Sequence, residues 1–361
     1  MKYLSAAIAL AISTPAIADS SVTVYGVVDL GGQFIDGHSR LVRVISGGNW
    51  SSRLGFKGTE ELGGGLAVDF ILETGLSVDE AALIQGGALF GRQALLALRS
   101  PYGTLSAGRQ NSSVFVATND FSEFYNGITG ASTASIGGFA GGYEPVRGAS
   151  PIARPPAAGA SLNGGPGRIN NSIRYTTPVF SGLKANFAYG AGEVTGGTSG
   201  TRLIEASVRY TDGSVDAMLS YLDDTVVGTT SHESTNVATT TIAAGYAFGG
   251  GFHVEGGFLS VNDRRPENLD GIGVWLGGDY RIGPNEVRLQ WVQNRPQRTV
   301  TGRSDAYAVA CLHDLSKRTS LYTSVALFKS GGTGPVRYNL VLPDNSNTRL
   351  TEYVLGIRHR F

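Results

Sequence analysis

The sequence predicts an all-β fold, a closed sixteen-stranded antiparallel barrel that crosses a membrane on its strands. Strand-like segments of about ten residues alternate apolar and polar side chains along the whole chain. Short turns rich in Gly, Pro, Asn and Asp punctuate them, and no helical period of any length stands out. The chain also opens on an export signal and then carries no apolar block near the ~18 residues that a membrane helix needs.

The opening segment, MKYLSAAIALAISTPAIA, has an early lysine, an apolar stretch over about residues 4–17 and a small-x-small site at Ala16, Ile17 and Ala18. That is the pattern of a secretory signal peptide over residues 1–18, so the mature chain is expected to begin at Asp19 and form one barrel domain over residues 19–361. In LKANFAYG, Leu183, Ala185, Phe187 and Tyr189 alternate with Lys184 and Asn186. LIEASVRYT sets Ile204, Ala206, Val208 and Tyr210 against Glu205, Ser207 and Arg209, and NEVRLQWV sets Val287, Leu289 and Trp291 against Glu286, Arg288 and Gln290. A soluble sandwich alternates too. Strand length, aromatic residues near strand ends and the export signal favour a barrel with lipid outside and a wet lumen, which satisfies every backbone group in lipid as an open sheet does not.

Seven short turns occur at ELGGGL, SPYGT, PVFSGL, YTDGS, AFGGG, RIGPN and HDLSKRT, with longer, more polar connections between them. Eight such loops complete fifteen connections and hence sixteen strands, an even number that leaves both termini on the short-turn, periplasmic side. In TEYVLGIRHRF, Tyr353, Leu355, Ile357, His359 and Phe361 share one face, while Glu352, Arg358 and Arg360 share the other. This last strand is expected to pair with the first, near Ser21, and to set Phe361 at the lipid interface.

One connection, over about residues 111–167, is far longer than a structureless loop in a compact protein. Residues 120–144 are expected to fold into the lumen as a constriction, because sixteen strands otherwise enclose a wide aqueous hole. The Pro-rich residues 149–167 leave open a disordered external loop.

Composition narrows the function classes. The chain has 52 Gly, 15 Tyr and 15 Phe but one Cys, Cys311, which excludes an intrachain disulfide framework and is expected to be a buried, inert thiol. Lys plus Arg number 29 and so do Asp plus Glu, so there is no nucleic-acid footprint and no polybasic membrane tail. Any electrostatic function must come from segregated charges.

Six stretches, in order, resemble the Gram-negative trimeric porins, and in particular their neisserial and β-proteobacterial branch. They are SSVTVYGVVDLG, SSRLGFKGTEELGGGLAVDFILETG, LFGRQALLALRSPYGTLSAGRQ, NNSIRYTTPVFSGL, LSKRTSLYTSVALF and the terminal GIRHRF. The resemblance implies an outer-membrane barrel assembled as a homotrimer, its third external loop folded inward, through which small hydrophilic solutes and ions diffuse passively. It also implies an electrostatic filter at a narrow eyelet, with a basic wall facing acidic loop residues. Arg53 in SSRLGF, Arg92 in LFGRQA and Arg109 in AGRQN fall in the family's arginine-bearing motifs. Glu73 in LAVDFILETG matches its wall carboxylate and shares a polar face with Asp69. The family's Pro-Glu-Phe-Gly-like loop stretch is missing, and NDFSEF with GGYEP offers Asp120, Glu123 and Glu144 as acidic candidates instead.

Alternation puts Arg53 with Ser51 and Lys57, opposite Leu54 and Phe56, whereas Arg109 shares the parity of Leu105 and Ala107 and reaches the lumen only past a bend or bulge. Lumen parity also collects Arg92, Arg174, Lys184, Arg209, Arg288, Arg358 and Arg360, against the fewer carboxylates Asp69, Glu73, Glu205, Asp216 and Glu286. A mild anion preference is therefore expected. Fixed charges matter here because an ion in a narrow pore sheds hydration that opposite charges restore, and arginine keeps its charge and presents a planar fork. The partners implied are two further copies of the chain, outer-membrane lipid and lipopolysaccharide, and the barrel-assembly machinery, which would read the final strand with Tyr353 and Phe361. No cofactor and no metal is expected.

Three other readings compete. A barrel enzyme needs a nucleophile, a base and an orienting group together, and no Ser-containing motif surrounds His38, His232, His253, His313 or His359. The histidines and single cysteine show no ligand spacing, and the glycines lie in turns and strands rather than at a phosphate cradle. An adhesin or anchor would carry larger external loops. A substrate-specific channel for anions or organic acids stays within transport, and the sequence does not separate it from general diffusion.

Overall fold

Successive hairpins build the wall. The computed structural model describes residues 21–37, 40–124, 167–191, 202–227, 234–264, 270–296, 302–332 and 349–361. The expected signal peptide, most of the long loop, Glu144, His38 and His232 lie outside the described residues.

The first strands are β1 (Ser21–Asp36), β2 (Arg40–Ser46), β3 (Arg53–Gly63), β4 (Leu66–Ser77), β5 (Ala82–Leu83), β6 (Gln93–Ser100) and β7 (Gly103–Asn111), followed by the helix α1 (Ser113–Asp120). Then come β8 (Arg168–Thr176), β9 (Leu183–Gly190), β10 (Leu203–Thr211), β11 (Val215–Val227), β12 (Ser234–Phe248) and β13 (Phe252–Asp263). The wall finishes with β14 (Gly271–Ile282), β15 (Asn285–Pro296), β16 (Gly302–Asp314), β17 (Thr319–Gly332) and β18 (Arg349–Arg360). Both β2 and β3 pair with β1, so they are halves of one barrel strand, and β5 is a two-residue bridge to β4. Counted so, each strand pairs antiparallel with the next and β1 pairs with β18, which closes a sixteen-stranded barrel as the sequence predicts.

All seven short turns fall where the sequence puts them, between β3 and β4, β6 and β7, β8 and β9, β10 and β11, β12 and β13, β14 and β15, and β16 and β17. In YTDGS, Gly213 has φ +82°, a left-handed backbone that glycine adopts without a Cβ penalty. The seam joins the chain's two ends. Gly26 N donates to Phe361 O at 3.1 Å and Phe361 N donates to Gly26 O at 3.2 Å. The Phe361 ring occupies the space over Gly26, where a Cβ would lie 2.4 Å from its Cζ. Further along, the Tyr353 and Phe34 rings pack at 5.8 Å.

Alternation sorts the two faces. Leu96, Leu98, Leu105, Ile173, Leu289 and Leu355 are exposed on the outside, whereas Glu205, Ser207, Arg288 and Gln290 turn inward and are buried. Tyr102 and Phe180 project from short turns, and Tyr246, Phe248 and Phe252 stack beside another such turn, with centroids 4.6 and 5.3 Å apart. This is the aromatic girdle of a membrane interface. No described helix is long and apolar enough to cross a membrane.

Two expectations are corrected. Cys311 is exposed rather than buried, because it shares outward parity with Tyr307 and Val309 on β16. In membranes, a charged, membrane-impermeant maleimide is expected to leave it unmodified, since a thiol facing hydrocarbon does not ionise, and to label it fully once the barrel is unfolded in urea, as read by mass spectrometry. Equal labelling before and after unfolding would remove it from the lipid face. The second correction is α1, a helix where no helical period stands out. Eight residues are too few for a period to show, but Ser112 caps the helix by accepting from Phe115 N at 3.1 Å, a contact worth about 1 kcal/mol.

Candidate pore constriction

The long connection turns into the barrel. Residues 112–124 run along the inner wall, tied by side chains that the alternation pointed inward. Ser113 N donates to Glu205 Oε2 at 2.6 Å, and Ser113 Oγ to Ser207 Oγ at 3.0 Å. Trp275 Nε1 donates to Phe121 O at 2.5 Å, Glu123 N to Gln290 Oε1 at 2.7 Å and Arg288 Nη1 to Glu123 O at 2.9 Å. Val114, Ala117 and Phe121 are buried on the side that packs toward β10, β11 and β12. Each hydrogen bond contributes about 1 kcal/mol net, so the set holds the segment across the lumen more firmly than any single tie.

A basic wall stands on the side of β18, β3 and β4. Arg92 Nε donates to Glu73 Oε1 at 2.6 Å, Arg53 Nε lies 3.6 Å from Glu73 Oε2, and Tyr25 OH donates to that same oxygen at 3.0 Å. Glu73 is thus buried between two guanidinium groups. Arg53 and Arg358 stack on the Trp50 ring, at 4.8 and 5.4 Å from its centroid. Trp50 owes its place to a break in the wall between β2 and β3, where Gly47 has φ +79°. Asp29 fastens that break: its Oδ2 accepts from Asn49 N and Trp50 N, and its Oδ1 accepts from Tyr322 OH at 2.6 Å. Arg168 continues the wall, donating to Arg92 O at 3.1 Å and stacking on Phe115 of α1.

The other predicted site residues separate. Asp69 lies toward the short-turn end, bonded to Thr59 at 2.7 Å and Arg99 at 3.2 Å; Arg99 also reaches Glu61. These partly exposed pairs add little stability. Arg109 keeps the outward parity of Leu105 and Ala107, because it pairs with Ala94 on the face of Leu96 and Leu98. The register does shift between Gly108 and Gln110, but the extra residue is on β8, so the shift does not turn Arg109 inward. Its Nε donates to Gly91 O at 2.6 Å and it bonds Asn170, apart from Arg53, Arg92 and Glu73.

Asp120 and Glu123 are both on the inward segment. Asp120 accepts from Arg209 at 2.7 Å, and Arg209 also grips Asp216. Glu123 is buried against the wall beside His253, 3.8 Å from its Nδ1. Burial, then the Asp279 and Glu286 charges, push the Glu123 carboxyl up to about 8 against the opposing pull of Arg288. The loop acids therefore pair with Arg209 and His253, whereas the nearest acid to Arg53 and Arg92 is the wall's own Glu73. Sequence reasoning missed Trp50, Asp29, Arg168, Glu255 and Asp279. The run GGNWSS after a strand is a turn signal for the break at Trp50, but the other four become legible only once register is known.

The family profile described as Gram-negative porin matches residues 5–333. Outer membrane porin protein 32 of Delftia acidovorans is 31% identical over 341 residues, 91% of this chain and 90% of that one. An outer membrane porin protein of Bordetella pertussis is 27% identical, covering 99% of both chains. Among solved structures, the anion-selective porin from Comamonas acidovorans superposes with a TM-score of 0.77 at 26% identity, covering 95% of this chain and all of that one. A match that runs through nearly every strand of the closed wall leaves one assignment: the chain belongs to the Gram-negative porin family and is a passive pore of the bacterial outer membrane.

Proposed function

We propose that the pore prefers small anions, with its size set by the inward segment and its charge preference by the basic wall. The observation that carries this is the grouping of Arg53, Arg92, Arg168 and Arg358 along one stretch of wall with Glu73 as the carboxylate between the first two. Stacked, permanently charged guanidinium groups offer a passing anion several donors without binding it tightly at one point. The anion-selective relative at 26% identity supports the same reading. Arg109 has no part in the wall in this proposal, Asp69 and Asp120 are paired with Arg99 and Arg209, and Glu123 is buried against the wall rather than facing the arginines. Glu144 remains a candidate from sequence.

The remaining partners follow the family. The chain works as a homotrimer in outer-membrane lipid and lipopolysaccharide, after export and removal of residues 1–18. The barrel-assembly machinery reads the final strand through Tyr353 and Phe361. Diffusion needs no cofactor and no covalent step, so the chain is a channel rather than an enzyme.

The test is single-channel conductance of the purified protein in a planar bilayer, with the reversal potential taken across a potassium chloride gradient. Conductance steps in groups of three and a reversal potential displaced toward chloride are expected. Displacement toward potassium would put Asp69, Glu73, Asp120 and Glu123 in control and overturn the anion reading. Conductance that saturates with one organic acid, while chloride flux stays low, would make the pore a substrate-specific channel.

A further inference from the structure

The inward segment meets the wall opposite the arginines at a cluster that the pore reading does not use. His253 on β13 pairs in register with Asp279 on β14, and Glu255 on β13 pairs with Gly277. All four therefore share the lumen face. Because Gly277 has no side chain, the Glu123 side chain fits over it: a Cβ there would lie 2.8 Å from Glu123 Cγ. Gly245 on β12 makes room in the same way for the His253 ring, 2.9 Å from where its Cβ would be.

The donor atoms converge. Those of Glu123, His253 and Glu255 lie within 4.8 Å of one another, and His253 Nδ1 is 3.8 Å from Glu123 Oε1, 4.0 Å from Glu255 Oε2 and 3.4 Å from Asp279 Oδ1. Glu123 Oε1 is buried and has no hydrogen-bond partner among the described residues, and its side chain is 5% exposed. Three carboxyl groups crowd one imidazole, so they cannot all ionise unless a cation stands among them. The Arg288 guanidinium donates to Glu286, Asn49 and the Glu123 carbonyl. A buried carboxyl aimed at other acceptors is costly unless a proton or a metal cation stands between them, and a cation satisfies all of them at once.

We infer that Glu123, His253 and Glu255, with Asp279 beside them, bind one divalent transition-metal cation of the zinc class, which clamps the inward segment to the wall. The imidazole argues against calcium or magnesium, which take oxygen ligands. Zinc holds nitrogen at ~2.0–2.1 Å and carboxylate oxygen at ~2.0–2.2 Å, so tetrahedral ligands stand roughly 3.4 Å apart. The present spacings close to that by rotation of two flexible glutamates. His253 and Asp279 are partly exposed to the lumen, which gives the ion a way in. This site is independent of ion preference and holds whichever way the reversal potential moves.

The test uses the full-length, detergent-purified protein stripped with EDTA and titrated with zinc chloride at pH 7.5, with bound metal read by calorimetry and by elemental analysis after desalting. One zinc per chain is expected. His253→Asn and Glu255→Gln should each weaken binding by at least tenfold, since even an outer-shell partner is worth about 10–100-fold. Glu123→Gln should do the same and, because it alters a loop rather than a strand, leaves the barrel intact. His313→Asn, at an exposed histidine bonded to Asn285, should bind like the parent. Heat-dependent gel migration confirms that each variant is folded. Failure of the parent to bind zinc, or binding that survives both wall substitutions, overturns the site. Binding that Glu123→Gln leaves unchanged overturns the clamp.

Discussion

Gly26→Val will remove most of the folded barrel. A Cβ at this position would lie 2.4 Å from Phe361 Cζ and 2.7 Å from the Arg53 carbonyl oxygen, so a ring and a backbone both obstruct it. The ring has to leave and the ladder between residues 26 and 361 has to open, with loss of the hydrogen bonds at 3.1 and 3.2 Å. Overpacking costs about 1–3 kcal/mol and two backbone bonds about 1 kcal/mol each, a sum of about 3–5 kcal/mol at the one seam that nothing else can close. Refolding into detergent, followed as the fraction of heat-modifiable barrel on a gel, should fall at least tenfold. Deleting Phe361 removes the same two bonds without the clash, so it should refold better than Gly26→Val in detergent. In cells it should still deplete the outer membrane of assembled protein if the terminal ring is read during assembly. Parent-like yields from Gly26→Val would mean that the seam tolerates a gap and that closure does not depend on the last residue.

Glu73→Gln should make the pore several-fold more anion-preferring. The carboxylate is buried between Arg53 and Arg92 and takes a third bond from Tyr25 OH, so a neutral amide leaves two guanidinium groups without their shared counter-charge. One unit charge at roughly 8 Å and an effective dielectric constant of ~20 is worth about 2 kcal/mol, and screening at physiological salt cuts this to about 1 kcal/mol. The chloride-to-potassium permeability ratio should therefore rise roughly fivefold, with a smaller rise at higher salt. Some stability is lost too, because breaking a buried pair costs about 3–5 kcal/mol where the remaining charge stays uncompensated. Here the lumen solvates part of it. An unchanged reversal potential in a folded variant would reduce Glu73 to a structural role.

Much of the barrel was legible because each wall strand is one layer thick. Lipid on one face and water on the other impose a period of two, and the Gly, Pro and Asp turns close each hairpin locally, so seven turns and the terminal pairing can be read from adjacent residues. What escapes is whatever depends on two strands at once. Arg109 could be given a parity but not a bulge, because the extra residue that shifts its register is Asn170 or Asn171 on the neighbouring strand. Cys311 looked buried because thiols prefer apolar surroundings, and lipid supplies these on the outside of the wall. His253 offered no ligand spacing, since its partners arrive from β14 by register and from residue 123 by an inward turn. The break at Trp50 depends on Asp29, some twenty residues earlier, whose carboxylate looks like any other polar strand residue until it meets three donors.

The seam between β1 and β18 also orders events in time. Every other strand pairing joins wall strands that are consecutive in the chain, and those closed by short turns form as hairpins in roughly 1–10 μs in water. The pairing of Val27 with Arg360 closes a loop of roughly 330 residues, at an entropic cost of about 5 kcal/mol that no local turn reduces. That cost falls due before the ten register pairs of the seam begin to offset it. The slow step of maturation is therefore the meeting of the first strand with the last, and until then the chain is an open sheet with two unpaired edges. Such a sheet is the form most exposed to mispairing with another copy, so whatever shields those edges governs how much of the chain becomes a pore.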